Sequence, residues 1–244
     1  MSNQVKTNKI LNRILSSILL ILITVFIVLV TMIQKSNAQE TKTVRDLEQW
    51  TSIGITKKIN KHWKLSLDQE FRFTNDMSTF NVYFSDLGVD YKINKHFSFG
   101  TNYRFYQNKN SEGTFKTQHR WSTDATYKQK VNRFTLAYRL RFQNKDEDFY
   151  TSNSGNNLYN LRNRLSVDYN IKDFKIDPFF EVELFRQIDD VNTTELNKLR
   201  WTLGLEYNLK DVGDFELFYR LDNELNQTYN KDTYIIGFGY KYKF

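Results

Sequence analysis

Two short stretches of this chain are nearly identical, KINKHW at residues 58–63 and KINKHF at residues 92–97. The similarity extends upstream, because IGITKKINKHW at 53–63 aligns with LGVDYKINKHF at 87–97. The same alternation around a tyrosine recurs in TDATYKQ at 123–129, LSVDYNI at 165–171, LGLEYNL at 203–209 and FGYKYKF at 238–244. Six copies with a period of two residues indicate six similar β-strands rather than an array of helices.

Each of the first five copies is followed by a short polar turn and an aromatic residue that opens a second alternating strand. In the first of these strands Trp63, Leu65 and Leu67 fall on one face and Lys64 and Ser66 on the other, because side chains alternate along a strand. The pattern therefore predicts an all-β fold of repeated antiparallel hairpins. The five opening aromatic residues are Trp63, Phe97, Phe134, Phe174 and Phe215.

A soluble β-sandwich or lipocalin-like barrel would show the same alternation of apolar and polar residues. The apolar face of these strands is, however, too large for the core of such a protein. Aromatic residues cluster near the strand ends, as they do at the two membrane–water interfaces of a transmembrane barrel. We therefore predict an up-and-down antiparallel transmembrane β-barrel in the outer membrane of a Gram-negative cell. The predicted aromatic belt beside the short turns consists of Trp63, Tyr91, Phe97, Tyr127, Phe134, Tyr169, Phe174, Tyr207 and Phe215.

The last strand ends in an aromatic pattern that resembles the signal read by the outer-membrane assembly machinery. The residues of this predicted signal are Gly239, Tyr240, Tyr242 and Phe244. The expected partners are therefore outer-membrane lipid and, during biogenesis, the barrel-assembly machinery.

The beginning of the chain differs in composition from the rest. A basic leader precedes an almost wholly apolar run, and Ser36 and Ala38 occupy the −3 and −1 positions of a small-x-small cleavage site. This pattern predicts a secretory signal peptide over 1–38, cleaved between Ala38 and Gln39, followed by the barrel over 39–244. Because the apolar run is long, an uncleaved anchor helix is the alternative.

The repeat does not by itself fix the number of strands. The repeat gives eleven strands, but a cleaved N-terminus and Phe244 should both lie in the periplasm, which requires an even number. A short additional strand before residue 47 makes twelve, the count we favour, and ten or eleven are the alternatives. Pro178 has no backbone N–H for a strand ladder, so we expect a bulge or a strand end there.

Composition excludes several classes of site. The chain has no cysteine, which excludes a disulfide framework, a thiolate metal site and a cysteine nucleophile. The formal charge is +7, but residues 1–38 hold four cations and no anions, so the remainder carries +7 minus 4, or +3. This mild excess does not favour nucleic acid as a partner. No phosphate-binding loop or metal-ligand spacing is present, and we expect no cofactor and no metal.

The polar face of the strands carries charges of both signs. In lipid, a lysine or arginine at mid-depth is unfavourable by about 2–4 kcal/mol, so this face should line the lumen. We expect an arginine–carboxylate network there, with further hydrogen bonds that offset the loss of solvation. Its predicted members are Asp68, Glu70, Arg72, Asp90, Arg104, Arg120, Asp124, Arg139, Arg141, Arg162, Arg164, Asp168, Glu181, Glu183, Arg200, Glu206, Glu216, Arg220, Asp222 and Glu224.

Several longer stretches carry a resemblance to a known family. They are Trp50 with KINKHWKLSLDQEFRF, FSDLGVDYKINKHFSFGTNYRF, LRNRLSVDYNI, KLRWTLGLEYNLKD, FELFYRLDNELN and IIGFGYKYKF. In these stretches the chain resembles an uncharacterised outer-membrane family, domain of unknown function 2490, from about Leu47 to Phe244. The resemblance implies an outer-membrane barrel and no particular activity.

The three histidines are the first candidates for acid–base chemistry. His62 and His96 lie in predicted turns, where a polar residue at the membrane interface is the simpler interpretation. His119 lies on a strand and faces lipid, whereas Ser122 faces the lumen, so the two do not form a nucleophile–base pair. A partner of His119 on a neighbouring strand is the alternative, and it keeps a lipid-modifying enzyme among the hypotheses.

Two pairs of carboxylates have a spacing that suits acid–base work. Glu181 and Glu183, and Asp222 and Glu224, lie two residues apart on one face of a strand. Because arginines are abundant on that face, structural ion pairs are the favoured interpretation. We therefore predict no catalytic residue and no enzymatic activity.

The favoured functional hypothesis is a porin-like passive channel or solute-binding pore. The lumenal charges would select the small polar solutes or ions that enter. The alternatives are a structural or adhesive barrel that acts through its outer loops and a lipid-modifying enzyme of the outer membrane.

Overall fold

The computed structural model describes residues 43–110, 112–146, 158–188, 194–209, 212–225 and 231–244, and these residues form a closed barrel of eleven strands. The predicted signal peptide and its cleavage site at Ala38 and Gln39 lie outside the described residues. The strands are β1 Val44–Lys58, β2 Trp63–Thr74, β3 Thr79–Lys92, β4 Phe97–Lys109, β5 Phe115–Val131, β6 Phe134–Asp146, β7 Leu158–Tyr169, β8 Ile176–Ile188, β9 Thr194–Leu209, β10 Gly213–Glu224 and β11 Lys231–Lys243.

Within the described part of the chain, no helix has the length and apolar character needed to cross a membrane.

The barrel closes through a parallel pair. Each strand is antiparallel to its neighbours in sequence, but β1 and β11 run side by side in the same direction, with Trp50 opposite Gly237. The predicted all-β barrel is confirmed, and eleven is one of the three strand counts that the sequence allowed. The argument for an even number fails because parallel closure places Val44 and Phe244 at opposite ends of the wall.

The two ends of the barrel differ in the connections that they carry. The turn end carries the connections 59–62, 93–96, 132–133, 170–175 and 210–212 together with Phe244, and the loop end carries the other connections together with Val44. Most loop-end connections are shorter than expected, since β2 and β3 are joined by 75–78 and β4 and β5 by 110–114. The asymmetry between the ends therefore comes mainly from the connection 147–157.

Alternation along the strands separates an apolar outer face from a polar inner one. Large apolar side chains such as Ile53, Leu203 and Phe238 are about half exposed on the outside of the wall, at 54%, 60% and 47%. The side chains with least exposure point inward, and they include Phe84 at 2% and Ile235 at 0%. The lumen is therefore where the core of this protein lies, and the outer face remains uncovered apolar surface.

The repeated KINKH-aromatic stretch builds a turn stabilised by its asparagine. In the first copy, Asn60 Oδ1 accepts the backbone N–H groups of His62 and Trp63 at 2.8 and 2.9 Å. Nδ1 of His62 donates to the carbonyl oxygen of Lys92 at 2.7 Å, and the Trp63 ring packs on Tyr91 with centroids 4.7 Å apart. The asparagine of the motif thus caps the turn, the histidine bonds the turn to the next strand, and the aromatic residue packs on the tyrosine of that strand.

The second copy repeats this geometry one hairpin later. Asn94 Oδ1 accepts the N–H groups of His96 and Phe97 at 2.8 and 2.9 Å, and His96 Nδ1 donates to the Lys128 carbonyl at 3.0 Å. Phe97 packs on Tyr127 at 4.9 Å. The repetition in sequence is therefore a repetition of turn structure.

Pro178 lies where the β8 ladder ends on one side. It is opposite Leu205 of β9, while pairing with β7 begins one residue later, at Phe179. The missing N–H therefore removes no bond from the β7 ladder. The strand itself begins two residues earlier, at Ile176, and its bulge lies at Phe185/Arg186, so the expected bulge or strand end at Pro178 is wrong.

Candidate functional site

Among the described residues, six aromatic side chains point into the lumen instead of toward the outer face. Each of them lies on the charged face of its strand, and several form stacks with arginine guanidinium groups. We call these residues and the arginines that they contact the lumenal layer. The six are Trp50, Phe84, Tyr106, Phe179, Phe185 and Phe218.

Trp50 joins the first and last parts of the barrel. It lies on β1 and is 5% exposed. The centre of its ring is 3.5 Å from Cζ of Arg72 on β2, 5.4 Å from that of Arg200 on β9 and 5.1 Å from that of Arg220 on β10. Its Nε1 donates to Glu48 Oε2 at 2.7 Å. One indole therefore contacts three cations from both sides of the parallel seam, which is a strong form of cation–π contact when buried.

Phe84 continues the layer from Trp50 toward β4. Cζ of Arg72 lies 5.0 Å from the Phe84 ring, and Cζ of Arg104 lies 3.7 Å from it. Arg104 Nε and Nη2 both donate to Asp86 Oδ2, at 2.7 and 2.5 Å. The phenyl ring is thus covered by guanidinium groups whose charge is balanced by a neighbouring carboxylate.

Phe185 forms the matching stack on the other side of the seam. The distances from its ring to Cζ of Arg162 and Arg200 are 4.3 and 5.0 Å. Arg200 binds Asp222 through two hydrogen bonds, Nε to Oδ1 at 2.6 Å and Nη2 to Oδ2 at 2.5 Å. This fork geometry is the strong, bidentate form of an arginine–carboxylate pair.

Glu183 is the carboxylate on which two arginines converge. It is 3% exposed, and its Oε1 accepts from Arg139 Nη2 at 2.6 Å. Arg162 donates to the same carboxylate from Nη2 at 2.8 Å and from Nε at 3.2 Å, and its Nη1 donates to Gln143 Oε1 at 2.9 Å. The charge of Glu183 is therefore what makes the burial of Arg139 and Arg162 tolerable.

Most of the predicted network residues make ion pairs. Besides those described above, Arg141 binds Asp124 at 2.5 Å, Arg164 binds Glu181 at 3.0 Å and Arg72 binds Glu70 at 2.6 Å. Nearer the ends of the barrel the partners are lysines, in the pairs Asp68–Lys241, Asp90–Lys64 and Glu224–Lys198.

Five predicted members have no ion pair with any residue that the structure describes. Arg220 donates to Thr202 Oγ1 at 2.9 Å, and Arg120 lies with its Cζ 5.3 Å from the Tyr106 ring. Asp168, Glu206 and Glu216 carry the remaining unpaired charges, and Glu206 is directly opposite Glu216 across β9 and β10. The lumen thus contains mostly paired charges in its middle, where Arg120 and Arg220 are exceptions, and unpaired carboxylates toward the turn end.

Two cavities open at the turn end of the lumen. One, of about 210 Å³, is lined by Asp68, Glu206, Asp214 and Glu216, and the other, of about 440 Å³, is lined by Lys58 and Lys64 among others. Lys241 and Lys243 line both cavities. We call this region the turn-end vestibule, and it has an acidic part and a basic part side by side.

Glycines of the repeated strand pattern make room for these side chains. A Cβ at Gly54 would overlap the Asp68 carboxylate, and one at Gly88 would lie 2.5 Å from Ser66 Oγ. A Cβ at Gly204 would overlap the inward phenyl ring of Phe179, and one at Gly237, which lies just before the last copy of the pattern, would overlap that of Phe218. The small residue of the pattern is therefore a requirement of lumen packing.

The sequence model of a family described as "Protein of unknown function (DUF2490)" matches residues 47–233. This chain belongs to the DUF2490 family. The resemblance predicted from its strand stretches is thereby confirmed. No curated protein sequence matches the chain.

A solved structure similar to this DUF2490 barrel is the β domain of the Bordetella autotransporter Brka. The two are 10% identical, with a TM-score of 0.43 over 72% of this chain and 82% of that one. The DUF2490 protein is thus a closed β-barrel from a family of unknown function.

The predicted belt residues of the DUF2490 barrel lie on its outer face near the turn end. Trp63, Phe97 and Phe134 pack on Tyr91, Tyr127 and Tyr169 with ring centroids 4.7 to 4.9 Å apart. Phe174, Tyr207 and Phe215 are 56%, 38% and 42% exposed.

Of the predicted assembly signal, Tyr242 packs on Phe244 at 5.5 Å, Phe215 packs on Tyr240, and Gly239 faces the lumen. The roles of both sets in the membrane stay predictions.

His119 of the DUF2490 barrel lies among aromatic residues on the outer face. Its Nδ1 is 2.6 Å from the Tyr103 hydroxyl, and its ring is 5.7 Å from that of Phe105. Ser122 is 4% exposed on the other face, as expected from the alternation. Among the residues that the structure describes, no group of three or more His, Cys, Asp and Glu side chains could hold a metal ion.

Proposed function

We propose that this protein spans the outer membrane as a conduit for small ions or polar solutes that is closed at rest by the lumenal layer. The support for a membrane location is the uncovered apolar outer face, which only lipid would satisfy over so many strands. The support for a conduit is the presence of lumenal charges that have no ion pair with a described residue, Arg220, Glu206 and Glu216, because such groups are available to a small charged solute.

The proposal that the lumen is closed at rest depends on the stacking around Trp50. Guanidinium groups from β2, β9 and β10 meet on one indole, and Phe84 and Phe185 extend the contacts to β4 and β7. A solute therefore meets a packed layer rather than a water-filled path. Among the described residues, the turn-end vestibule offers room for a small charged solute.

Planar-bilayer recording with refolded protein tests this proposal. We expect short, small conductance steps and no sustained open state, because passage requires the stacked arginines to move apart. A stable, ohmic conductance at low voltage would contradict closure. The absence of any steps at every voltage would instead favour the structural barrel, whose specific support is the extent of paired charge in the lumen.

The orientation of the barrel is testable because the chain has no native cysteine. We place the turn end in the periplasm, so Val44→Cys, at the loop end, should react with a membrane-impermeant maleimide on intact cells. Lys95→Cys, in the turn 93–96, should react only after permeabilisation. If neither cysteine reacts on intact cells, both residues lie on the periplasmic side, which would contradict parallel closure. If Lys95→Cys reacts on intact cells and Val44→Cys does not, the orientation is contradicted.

The lipid-modifying enzyme stays a second hypothesis, supported by the polar pair of His119 and Tyr103 on an outer face that meets lipid in our proposal. The adhesive alternative depends on outer loops, and the largest of them, 147–157, lies outside the described residues.

A further inference from the structure

The turn end carries a one-sided concentration of positive charge. Three segments around its connections, 57–62, 92–96 and 128–133, contain eight cations and no aspartate or glutamate. We call these eight residues the basic rim, and all of them are exposed. They are Lys57, Lys58, Lys61, Lys92, Lys95, Lys128, Lys130 and Arg133.

The cations of the basic rim are not held in salt bridges. No member forms a salt bridge with any residue in the described ranges. The turn between β7 and β8 differs, because Lys172 and Lys175 lie there beside Asp173 and Asp177. The excess charge is therefore confined to the side of the turn end formed by β1 to β6.

Exposed apolar side chains lie between these cations. Ile59 and Ile93 lie in the turns and Val131 is the last residue of β5, and they are 52%, 46% and 38% exposed. The outward pair of Trp63 and Tyr91 follows directly on the barrel side. Apolar turn tips between lysines would be unfavourable in water, whereas they suit the headgroup region, in which lysine stems lie along apolar surface and the ammonium groups reach the phosphates.

We propose that the basic rim binds anionic phospholipid headgroups of the leaflet that meets the turn end. The proposal rests on the membrane placement proposed above. The attraction arises from the surface potential of anionic lipid, adds up over nearby lysines and is screened by salt. A soluble polyanion has no use for the apolar tips, which is why we favour lipid as the partner.

Trp63 provides a reporter inside the rim. In full-length protein carrying Trp121→Phe and Trp201→Phe, the remaining tryptophans are Trp63, 45% exposed on the outer face, and Trp50, enclosed in the lumen. The protein is reconstituted in phosphatidylcholine vesicles that contain brominated phosphatidylglycerol or, at the same fraction, brominated phosphatidylcholine. We expect phosphatidylglycerol to associate more strongly, on the order of tenfold, as judged by Trp63 quenching at low salt.

The rim variant Lys57→Gln/Lys61→Gln/Lys92→Gln/Lys95→Gln, which leaves the vestibule residue Lys58 in place, should abolish this preference. The control Arg45→Gln/Lys116→Gln/Lys172→Gln/Lys175→Gln removes the same charge from other exposed positions and should retain the preference.

Equal quenching by both lipids in the parent protein, or an unchanged preference in the rim variant, would overturn the proposal. Equal quenching together with retention on heparin would assign the rim to a soluble polyanion. Quenching by neither lipid would mean that the barrel does not lie in the bilayer, which overturns the membrane placement as well.

Discussion

Replacing Glu183 with glutamine should lower the free energy of unfolding by about 3–5 kcal/mol, because it leaves two buried guanidinium groups without their carboxylate. Arg139 and Arg162 both bind Glu183, and the side chains are 13%, 11% and 4% exposed respectively. Glutamine has nearly the same shape, so the loss comes from charge and hydrogen bonding rather than from a cavity. The measurement is urea unfolding of the refolded barrel, followed by tryptophan fluorescence and by gel mobility.

Glu224→Gln is the matched control for this loss. Glu224 also faces the lumen and binds a cation, Lys198, at 3.3 Å, but its side chain is 35% exposed near the loop end. The expected change is below about 1 kcal/mol, because solvent screens the pair. Equal effects of the two substitutions would contradict the claim that burial makes Glu183 critical. The double variant Glu183→Gln/Arg139→Gln should recover part of the loss, which a double-mutant cycle measures.

Much of the fold was predictable because a strand places alternate residues on opposite faces. The copies around Tyr91, Tyr127 and Tyr169 fix where strands begin and end, and they assign each charged residue to the inner face. The closure was not predictable in the same way. It depends on whether the first and last strands meet in parallel or antiparallel fashion, and neither β1 nor β11 carries a local pattern that distinguishes the two.

The composition of the lumen was predictable, whereas its pairing was not. Alternation places Arg139, Arg162 and Glu183 on one face, but only the register of β6, β7 and β8 brings two arginines to the same carboxylate. Residue type alone does not separate the inward aromatic residues from those of the interface belts. Parity along the strand identifies them, since Phe84 and Phe185 lie two residues from Asp86 and Glu183 on the same face.

Trp50→Ala should open the lumen. The indole is the common contact of Arg72, Arg200 and Arg220, so its removal leaves a space in the lumenal layer and removes the attraction that holds the three cations together. Like charges then separate, and water enters between them. We expect sustained conductance steps in planar-bilayer recording, where the parent protein shows only brief ones. The truncation should also lower the free energy of unfolding by about 3–5 kcal/mol, so recordings require correctly folded fractions.

Two further variants separate opening from destabilisation. Trp50→Phe keeps an aromatic face for the arginines while losing the hydrogen bond to Glu48, so it should destabilise the barrel without producing sustained conductance. Trp121→Ala removes an indole that is 43% exposed on the outer face and should leave conductance at the parental level. If folded Trp50→Ala conducts no more than the parent, the lumenal layer is not the barrier. Closure would then have to arise elsewhere along the lumen, and the structural barrel would become the better hypothesis.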